Sequence, residues 1–595
     1  MRYPASELTP ERRAADADRL SAEQFDILVV GGGVTGAGAA LDAASRGLRT
    51  ALVESVDWAA GTSSRSSKLV HGGLRYLQRL DFHLVYEALR ERSLLLGKLA
   101  PHLVRPVPIL YPLHVPVVER LTVGAGVGLY DLMGAAFPAG GAAGRLPHHR
   151  HLSRRQALAM TPALRPDRLS GAVLYYDGQV DDARFVAELV RTAAAYGAVP
   201  LNRARVTALV KEGGRVVGAR LWDTETGSGR EVRARVVLSA TGVWSEDTEA
   251  LAGAGRGVRV KPSKGVHLVV PADRVSSEVG LITRTPTSVL FVLPWGRYWV
   301  IGTTDTDWPY DKAVPLATAA DLDYVLGQLN SVLRRPLSRA DVVGVYAGLR
   351  PLVAGEGVVR GPGEERKASS GGAGGAGAGT GGNSAISREH SVVSPVPGLV
   401  VVSGGKYTTY RVMAAQAVDL AVRQAGVHAP VSRTHSLPLL GARHLGQARA
   451  EEEERARAAG LGAEVFEHLV GRYGGQVGEV LDLLSGDPSL AAPLGEAGGS
   501  PTRYLRAEVV HAVTHEGARH LDDVMVRRAR LAMEEPDGGA TVAGEVAALM
   551  AGPLGWAADD QRHELDLYLA QADLVGRASQ AGDDAAAAAL AGFSS

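Results

Sequence analysis

The chain has 595 residues, enough for two to four domains with large buried cores. Lys+Arg and Asp+Glu both number 64, so no global charge directs it to nucleic acid, and 46% hydrophobic with 22% charged residues suits a soluble globular protein. Cysteine is absent, which excludes disulfides, iron–sulfur ligation, thiol catalysis and cysteinyl attachment of a cofactor, and fits a reducing cytoplasm.

Residues 1–24 are polar and of mixed charge, without the apolar core of a secretory signal, and read as a flexible tail. Residues 26–54 then carry a short apolar strand at 27–30, the turn glycines Gly31, Gly33 and Gly36, a helix over 37–46, and a second strand at 50–53 that ends on Glu54. In a G-x-G-x-x-G turn the glycines make a tight bend, let the backbone approach a pyrophosphate and let helix pack on strand. The anion then sits on the helix N-terminus, and the acid takes hydrogen bonds from a ribose.

The next segment, TSSRSSKLVHGGLRY at 62–76, combines small hydroxyls, a glycine pair and basic residues, a loop able to wrap a cofactor and place a cation beyond it. Residues 121–140 are about long enough to span a bilayer but contain Asp131, Pro138 and many glycines, so a buried or interfacial segment is expected. The cluster His148, His149, Arg150, His151, Arg154 and Arg155 reads equally as a contact for anionic lipid headgroups and as a solvated loop. A strand–turn–strand over 204–220 leads into RVVLSATG at 235–242, the returning strand of flavoproteins with two dinucleotide-binding units; it favours FAD over NAD.

KGVH (264–267), IGTTD (301–305) and GLRPL (348–352) follow, then a Gly-rich stretch over 361–384 that cannot bury a core, then GGKYTTYR (404–411) opening a helix. β-type runs lie on both sides of the Gly-rich stretch, at 342–346 and 399–403. Beyond residue 436 the patterns are helical, as at 448–458, 477–484 and 504–519, and the Ala-rich end at 583–595 reads as frayed.

In this order the motifs resemble the FAD-dependent glycerol-3-phosphate dehydrogenases of the aerobic, membrane-associated type. The resemblance runs from residue 26 to 433 and continues at LDDVMVRRARL, 521–531. The departures are the Gly-rich insertion, the long N-terminal segment, and Tyr407 in place of a smaller aliphatic residue. The resemblance implies an α/β FAD-binding Rossmann-like domain of the glutathione-reductase/D-amino-acid-oxidase type, discontinuous over 25–90, 170–242 and 385–433. With it go a mixed β substrate domain over 91–169 and 243–360, and a C-terminal all-α domain over 434–582.

A phosphate dianion calls for planar, always-charged forks, and Arg75 and Arg350 stand where the family binds substrate; either could instead be a structural salt-bridge arginine. Removing the proton of a secondary alcohol suits imidazole, which makes His267 the candidate base. Lys406, at a glycine-preceded helix start, is placed to stabilise developing negative charge. Tyr76 and Thr304 are expected in the substrate pocket. Non-covalent FAD is expected on Gly31, Gly33, Gly36, Glu54, Thr62, Ser63, Ser64, Lys68, His71, Gly242, Lys406 and Thr408, and no metal. Thr408 and Thr409 serve equally well as helix caps.

The implied reaction is oxidation of sn-glycerol 3-phosphate to dihydroxyacetone phosphate, with electrons passed to membrane quinone by a cytoplasmic protein docked peripherally on the inner face of the cell membrane. A soluble oxidase making hydrogen peroxide is the first alternative, a flavin-binding scaffold without turnover the second, and an NAD-dependent dehydrogenase the third. The oligomeric state is left open, a homodimer included.

Overall fold

A computed structural model describes residues 4–73, 81–115, 117–135, 137, 146–253, 259–286, 288–354, 390–499 and 501–592. Among these, eight strands form a first sheet. Its spine runs His390–Val396, Leu399–Gly404, Ser228–Ser239, Gln24–Val30, Thr50–Val53, Val199–Leu201, and a hairpin, Ala204–Glu212 with Arg215–Asp223, is attached to Ser228–Ser239. Four of the five pairings along the spine are parallel, all but that of His390–Val396 with Leu399–Gly404. Parallel strands are covered on both faces, so they read as unbroken apolar runs; Ile27, Leu28 and Val29 are fully buried. Helices Val34–Ser45, Asp182–Ala195 and Tyr410–Ala425 pack together over one face.

Ten strands form the second sheet, which is largely antiparallel. At its centre Arg259–Pro271 lies against Tyr298–Gly302 on one side and Gly344–Ala354 on the other. The long pair Val104–Leu113 and Gly171–Val180 forms its far wing, with Leu69–Val70 at the edge. Strands 69–70 and 171–180, expected in the cofactor domain, thus belong to this sheet, because their backbone groups pair there. The expected strand at 342–346 begins at Gly344 and runs on to Ala354. The chain leaves the second sheet at Ala354 and enters the first at His390; the Gly-rich stretch between lies outside the described residues.

Two expected tails are ordered. Helix Pro10–Ala22 is capped by Thr9, buries Ala17 and Leu20, and is tied down by Arg13 on Asp223. Helix Asp584–Leu590 buries Ala587 and Ala588, and its Asp584 pairs with Lys264 of the second sheet. Neither docking partner is near in sequence, so local composition alone suggested disorder.

The C-terminal helices pack around their own apolar cores and are joined to the cofactor domain by buried ion pairs. Arg184 pairs with Glu516, Arg191 with Glu479 (2.9 Å), and Arg528 with Asp57 (2.8 Å). Breaking such a pair by removing one partner costs about 3–5 kcal/mol, because a charge is left buried alone.

Candidate active site

A cavity of about 980 Å³ runs between the two sheets and the helical domain. One end is built by the glycine turn. Gly31 has φ +108°, and a Cβ there would stand 2.6 Å from the carbonyl oxygen of Ala240, the residue at the end of the returning strand. A Cβ on Gly36 would be 1.8 Å from the Gly31 carbonyl, so this position closes helix onto turn. Gly33 is the N-cap of helix Val34–Ser45 and offers no side-chain cap; Ser63 takes the Val34 amide, and the amides that follow it in the first turn are left for a ligand. Its own Cβ would meet only Ser63 Oγ within 4 Å, so Gly33 faces the cavity.

Glu54 accepts hydrogen bonds from the Gly32 amide (2.6 Å) and the Val56 amide (2.9 Å), and burial raises its pKa against these contacts. Gly242 follows at φ +57° on the cavity wall. Among the loop hydroxyls, Ser63 Oγ accepts from the Val34 amide (3.0 Å) and Thr62 Oγ1 donates to the Leu349 carbonyl (2.7 Å). Ser64 lies just behind, its carbonyl accepting from Lys68 Nζ (3.0 Å) and Arg530 (3.1 Å).

Lys68 is not on the wall. It sits at φ +60° with its ammonium 2.8 Å from Asp182, so it holds the loop rather than reaching into the cavity, which is lined by its neighbours Ser66, Ser67 and Leu69. Burial, then the nearby Arg530, lowers its pKa to about 8. Asp182 also accepts from the amide and hydroxyl of Ser66, pairs with Arg530, and its carbonyl accepts from Tyr407 Oη (2.6 Å). That bond gives the unexpected tyrosine a structural role. Thr408 bridges the backbone of His71, accepting from its amide (3.1 Å) and donating to its carbonyl (3.2 Å), which ties GGKYTTYR to the cofactor loop.

The opposite end is a trough on the second sheet. Three cross-strand pairs stand in a row: His267 opposite Tyr346, Gly265 opposite Gly348, Ser263 opposite Arg350. Strand residues two apart share a face, so the glycine pair lies between an imidazole and a guanidinium, with Arg350 drawn in close over Gly265 and Arg65 of the cofactor loop close over Gly348. A Cβ on Gly265 would stand 2.5 Å from Arg350 Nη2. Arg350 is oriented by Thr303 Oγ1 (3.0 Å), the Thr304 carbonyl (3.2 Å) and Asp305 (3.5 Å). Thr304 turns its hydroxyl to the Val266 amide (3.0 Å) and is buried.

His267 is 3% exposed. Its ring stacks on Tyr346 with centroids 4.8 Å apart, and its Nε2 lies 2.8 Å from Ser67 Oγ. Burial, then the positive charges of Arg350 and Lys68, push its pKa well below the usual imidazole value, so the ring is neutral near pH 7. Lys406, beside two positive-φ glycines, lines the cavity with Arg350 and His267. Arg75 and Tyr76 lie outside the described residues.

The cavity also takes walls that the motifs did not indicate: Gly265, Gly348, Ser67, Arg65, and Asp522, Val526 and Arg527 of the helical domain. The first two were legible as same-face neighbours, two residues from His267 and from Arg350. The helical-domain residues lie in LDDVMVRRARL, 521–531, which the resemblance marked as a motif without assigning it a place at the cofactor cavity. In the structure 523–528 is a π-helical turn that presents its arginines to Asp57.

A glycine turn at a helix N-terminus, a terminal acid, a returning strand and a trough lined by His267 and Arg350 define a dinucleotide-dependent oxidoreductase. Residues 26–386 match the FAD dependent oxidoreductase (DAO) family, and residues 432–561 match the C-terminal domain of alpha-glycerophosphate oxidase. The chain is 48% identical over 571 residues to the glycerol-3-phosphate dehydrogenase of Mycobacterium leprae, covering 96% of this chain and 92% of that one. It is 34% identical over 586 residues to the human mitochondrial glycerol-3-phosphate dehydrogenase, covering 96% and 75%. The X-ray structure of the Bacillus halodurans glycerol-3-phosphate dehydrogenase complexed with FAD is similar with a TM-score of 0.73 at 28% identity, over 95% of this chain and 98% of that one. The chain belongs to the FAD-dependent glycerol-3-phosphate dehydrogenase family, and FAD is its cofactor.

Proposed function

We propose that this protein oxidises sn-glycerol 3-phosphate to dihydroxyacetone phosphate and delivers the electrons to membrane quinone. The observation that carries the reading is the trough, with Arg350 at one end, neutral His267 at the other and two glycines between. FAD supplies the acceptor for the hydride leaving C2. Arg350 binds the phosphate, assisted by Arg75 as the family resemblance implies. The buried, unprotonated His267 ring takes the C2 hydroxyl proton, and stacking on Tyr346 with Ser67 at Nε2 keeps the ring in place. Lys406 contributes positive charge to the same cavity, where low dielectric strengthens its effect on developing anions.

Docking at a membrane is supported by helix Val118–Ala135. Leu121 and Leu132 are 67% and 70% exposed, and Ala125 and Leu129 continue the exposed stripe between them. Val115 and Val117 extend it, and Arg154 and Arg155 lie exposed nearby in sequence. An outward-facing apolar stripe with basic neighbours suits an interfacial helix on anionic lipid. Among the described residues no helix is long and apolar enough to cross a membrane.

The test is anaerobic addition of glycerol 3-phosphate to the flavoprotein, then separate reoxidation by a soluble quinone analogue and by oxygen. Bleaching of the flavin and faster reoxidation by quinone are expected. A flavin that stays oxidised would remove the substrate assignment, and rapid peroxide formation with negligible quinone reduction would make the protein an oxidase.

A further inference from the structure

Where the helical domain meets the cofactor domain, the buried charges nearly balance. Asp57, Asp522 and Asp523 face Arg203, Arg527 and Arg528 in one connected set: Arg527 contacts all three carboxylates, Arg203 contacts Asp522 and Asp523, and Arg528 contacts Asp57. Arg528 also reaches Glu516, which is itself paired with Arg184. Three carboxylates thus meet three guanidiniums.

Arg65 is a fourth cation at this place. Its guanidinium makes no hydrogen bond or ion pair with any of the described residues, and it lines the cavity beside Arg527. Burial, then repulsion from Arg527, lowers its pKa to about 10 against a weaker pull from Asp522. Arg65 is half-buried with its guanidinium open to the cavity, and a partly desolvated cation without a counter-charge favours a ligand that supplies the anion.

The position of Arg65 identifies the ligand group. It follows helix Thr62–Ser64 directly and stands two residues beyond Ser63, whose hydroxyl touches the first helical amide of the glycine turn. The loop lies tight on the second sheet there, because a Cβ on Gly348 would be 2.6 Å from Arg65 Cβ. That turn is where the backbone receives a dinucleotide diphosphate.

We propose that Arg65 is the charge partner of the FAD diphosphate, held against the cofactor by the ion-paired edge of the helical domain. The helical domain then contributes to cofactor binding, since Asp522, Val526 and Arg527 close the wall on which Arg65 rests. The inference depends on FAD as cofactor and not on the substrate assigned above.

The test uses full-length apoprotein titrated with FAD, read by flavin fluorescence, and with ADP as a competitor carrying the same diphosphate without the flavin. Arg65→Ala and Arg65→Gln should each weaken FAD about ten- to a hundred-fold, and weaken ADP by a similar factor. Arg65→Lys should recover part of the loss. Apoprotein of the Ala and Gln variants should melt no lower than wild type, since the guanidinium makes no hydrogen bond or ion pair with the described residues that its removal would break. Unchanged FAD affinity would overturn the proposal. Loss of FAD affinity with ADP affinity intact would also overturn it, by placing Arg65 on the flavin half. A lower apoprotein melting temperature would overturn it by showing that the arginine is structural. Flavin bleaching by glycerol 3-phosphate at saturating FAD is a separate measurement, so failure of either reading is seen independently.

Discussion

The protonation state of His267 is set by its surroundings. Sequence reasoning expects a base titrating near neutrality, whereas burial beside Arg350 and Lys68 pushes the ring well below that. The unprotonated form is the one that accepts a proton, so the rate of flavin reduction should be level from about pH 6 to 8 and fall only in more acid solution. His267→Ala should keep its FAD and slow reduction by about 10²–10⁴-fold in stopped-flow measurements; an unchanged rate would move the base elsewhere. At the other end of the trough, Arg350→Ala should weaken glycerol 3-phosphate about ten- to a hundred-fold and narrow the preference over glycerol. Gly265→Ala should do much the same through space alone, because its Cβ would stand 2.5 Å from the guanidinium. If KM for the phosphate ester is normal in Gly265→Ala, the guanidinium is not the phosphate contact.

Two short segments owe their conformation to partners far along the chain. Loop 62–71 is held through Asp182, which gathers Ser66, Lys68 and Arg530, and through Thr408 on the His71 backbone. The terminal helix Asp584–Leu590 is held by Asp584 on Lys264, with Asp321 as the second carboxylate (2.6 Å) and the Trp308 ring beneath the ammonium (5.2 Å). Asp584→Asn should therefore release this helix while leaving Lys264 its pairing with Asp321. Limited proteolysis should then cut near residues 579–583 faster than in wild type, with the flavin spectrum unchanged; equal cutting would mean that Ala587 and Ala588 hold the helix without the charge. Lys264, the first letter of KGVH and the neighbour of the trough glycine Gly265, thus serves to anchor helix Asp584–Leu590.

Across the molecule, displaced histidines shape the response to pH near neutrality, ahead of the ion-paired carboxylates Glu225 and Glu508, which are held at about 2 and act only in stronger acid. His102 and His515 are held at pKa values of about 3 by burial, below the unfolded value near 6.5. The unfolded chain therefore takes up more protons than the native one between pH 6.5 and 3, and each histidine subtracts about 1.4 kcal/mol per pH unit across that window. His520 behaves oppositely. Its bonds to Glu225 and Glu564 outweigh burial and raise it to about 10, so its contribution is complete below pH 6.5 and is lost as pH rises through 10. Melting temperature should peak near pH 6.5, and His515→Gln should make the acid limb shallower. Membrane attachment is testable on the same scale: Leu121→Asp with Leu132→Asp should abolish flotation with anionic liposomes, whereas neutralising Arg154 and Arg155 should only make it weaker and less salt-sensitive. Flotation by the double aspartate variant at wild-type levels would exclude this helix.

The cofactor turn could be read before any coordinates because its chemistry is local. A tight bend, a close backbone approach and a terminal acid each demand particular residues at particular spacings, and Gly31, Gly36 and Glu54 stand where those demands place them. His267 and Arg350 were legible as residue types suited to the reaction. Their common trough was not, since it depends on the register that sets Ser263 against Arg350 and His267 against Tyr346. Lys68 was misplaced for the same reason: a lysine in a cofactor loop looks like a ligand until Asp182, 114 residues away, is found at 2.8 Å. The two supposed tails and the walls from 522–527 are contacts between distant segments; LDDVMVRRARL was visible as a motif, but not which cavity its side chains would close. Local backbone requirements are written in the sequence; which buried charges meet, and what they shut in, is settled by packing.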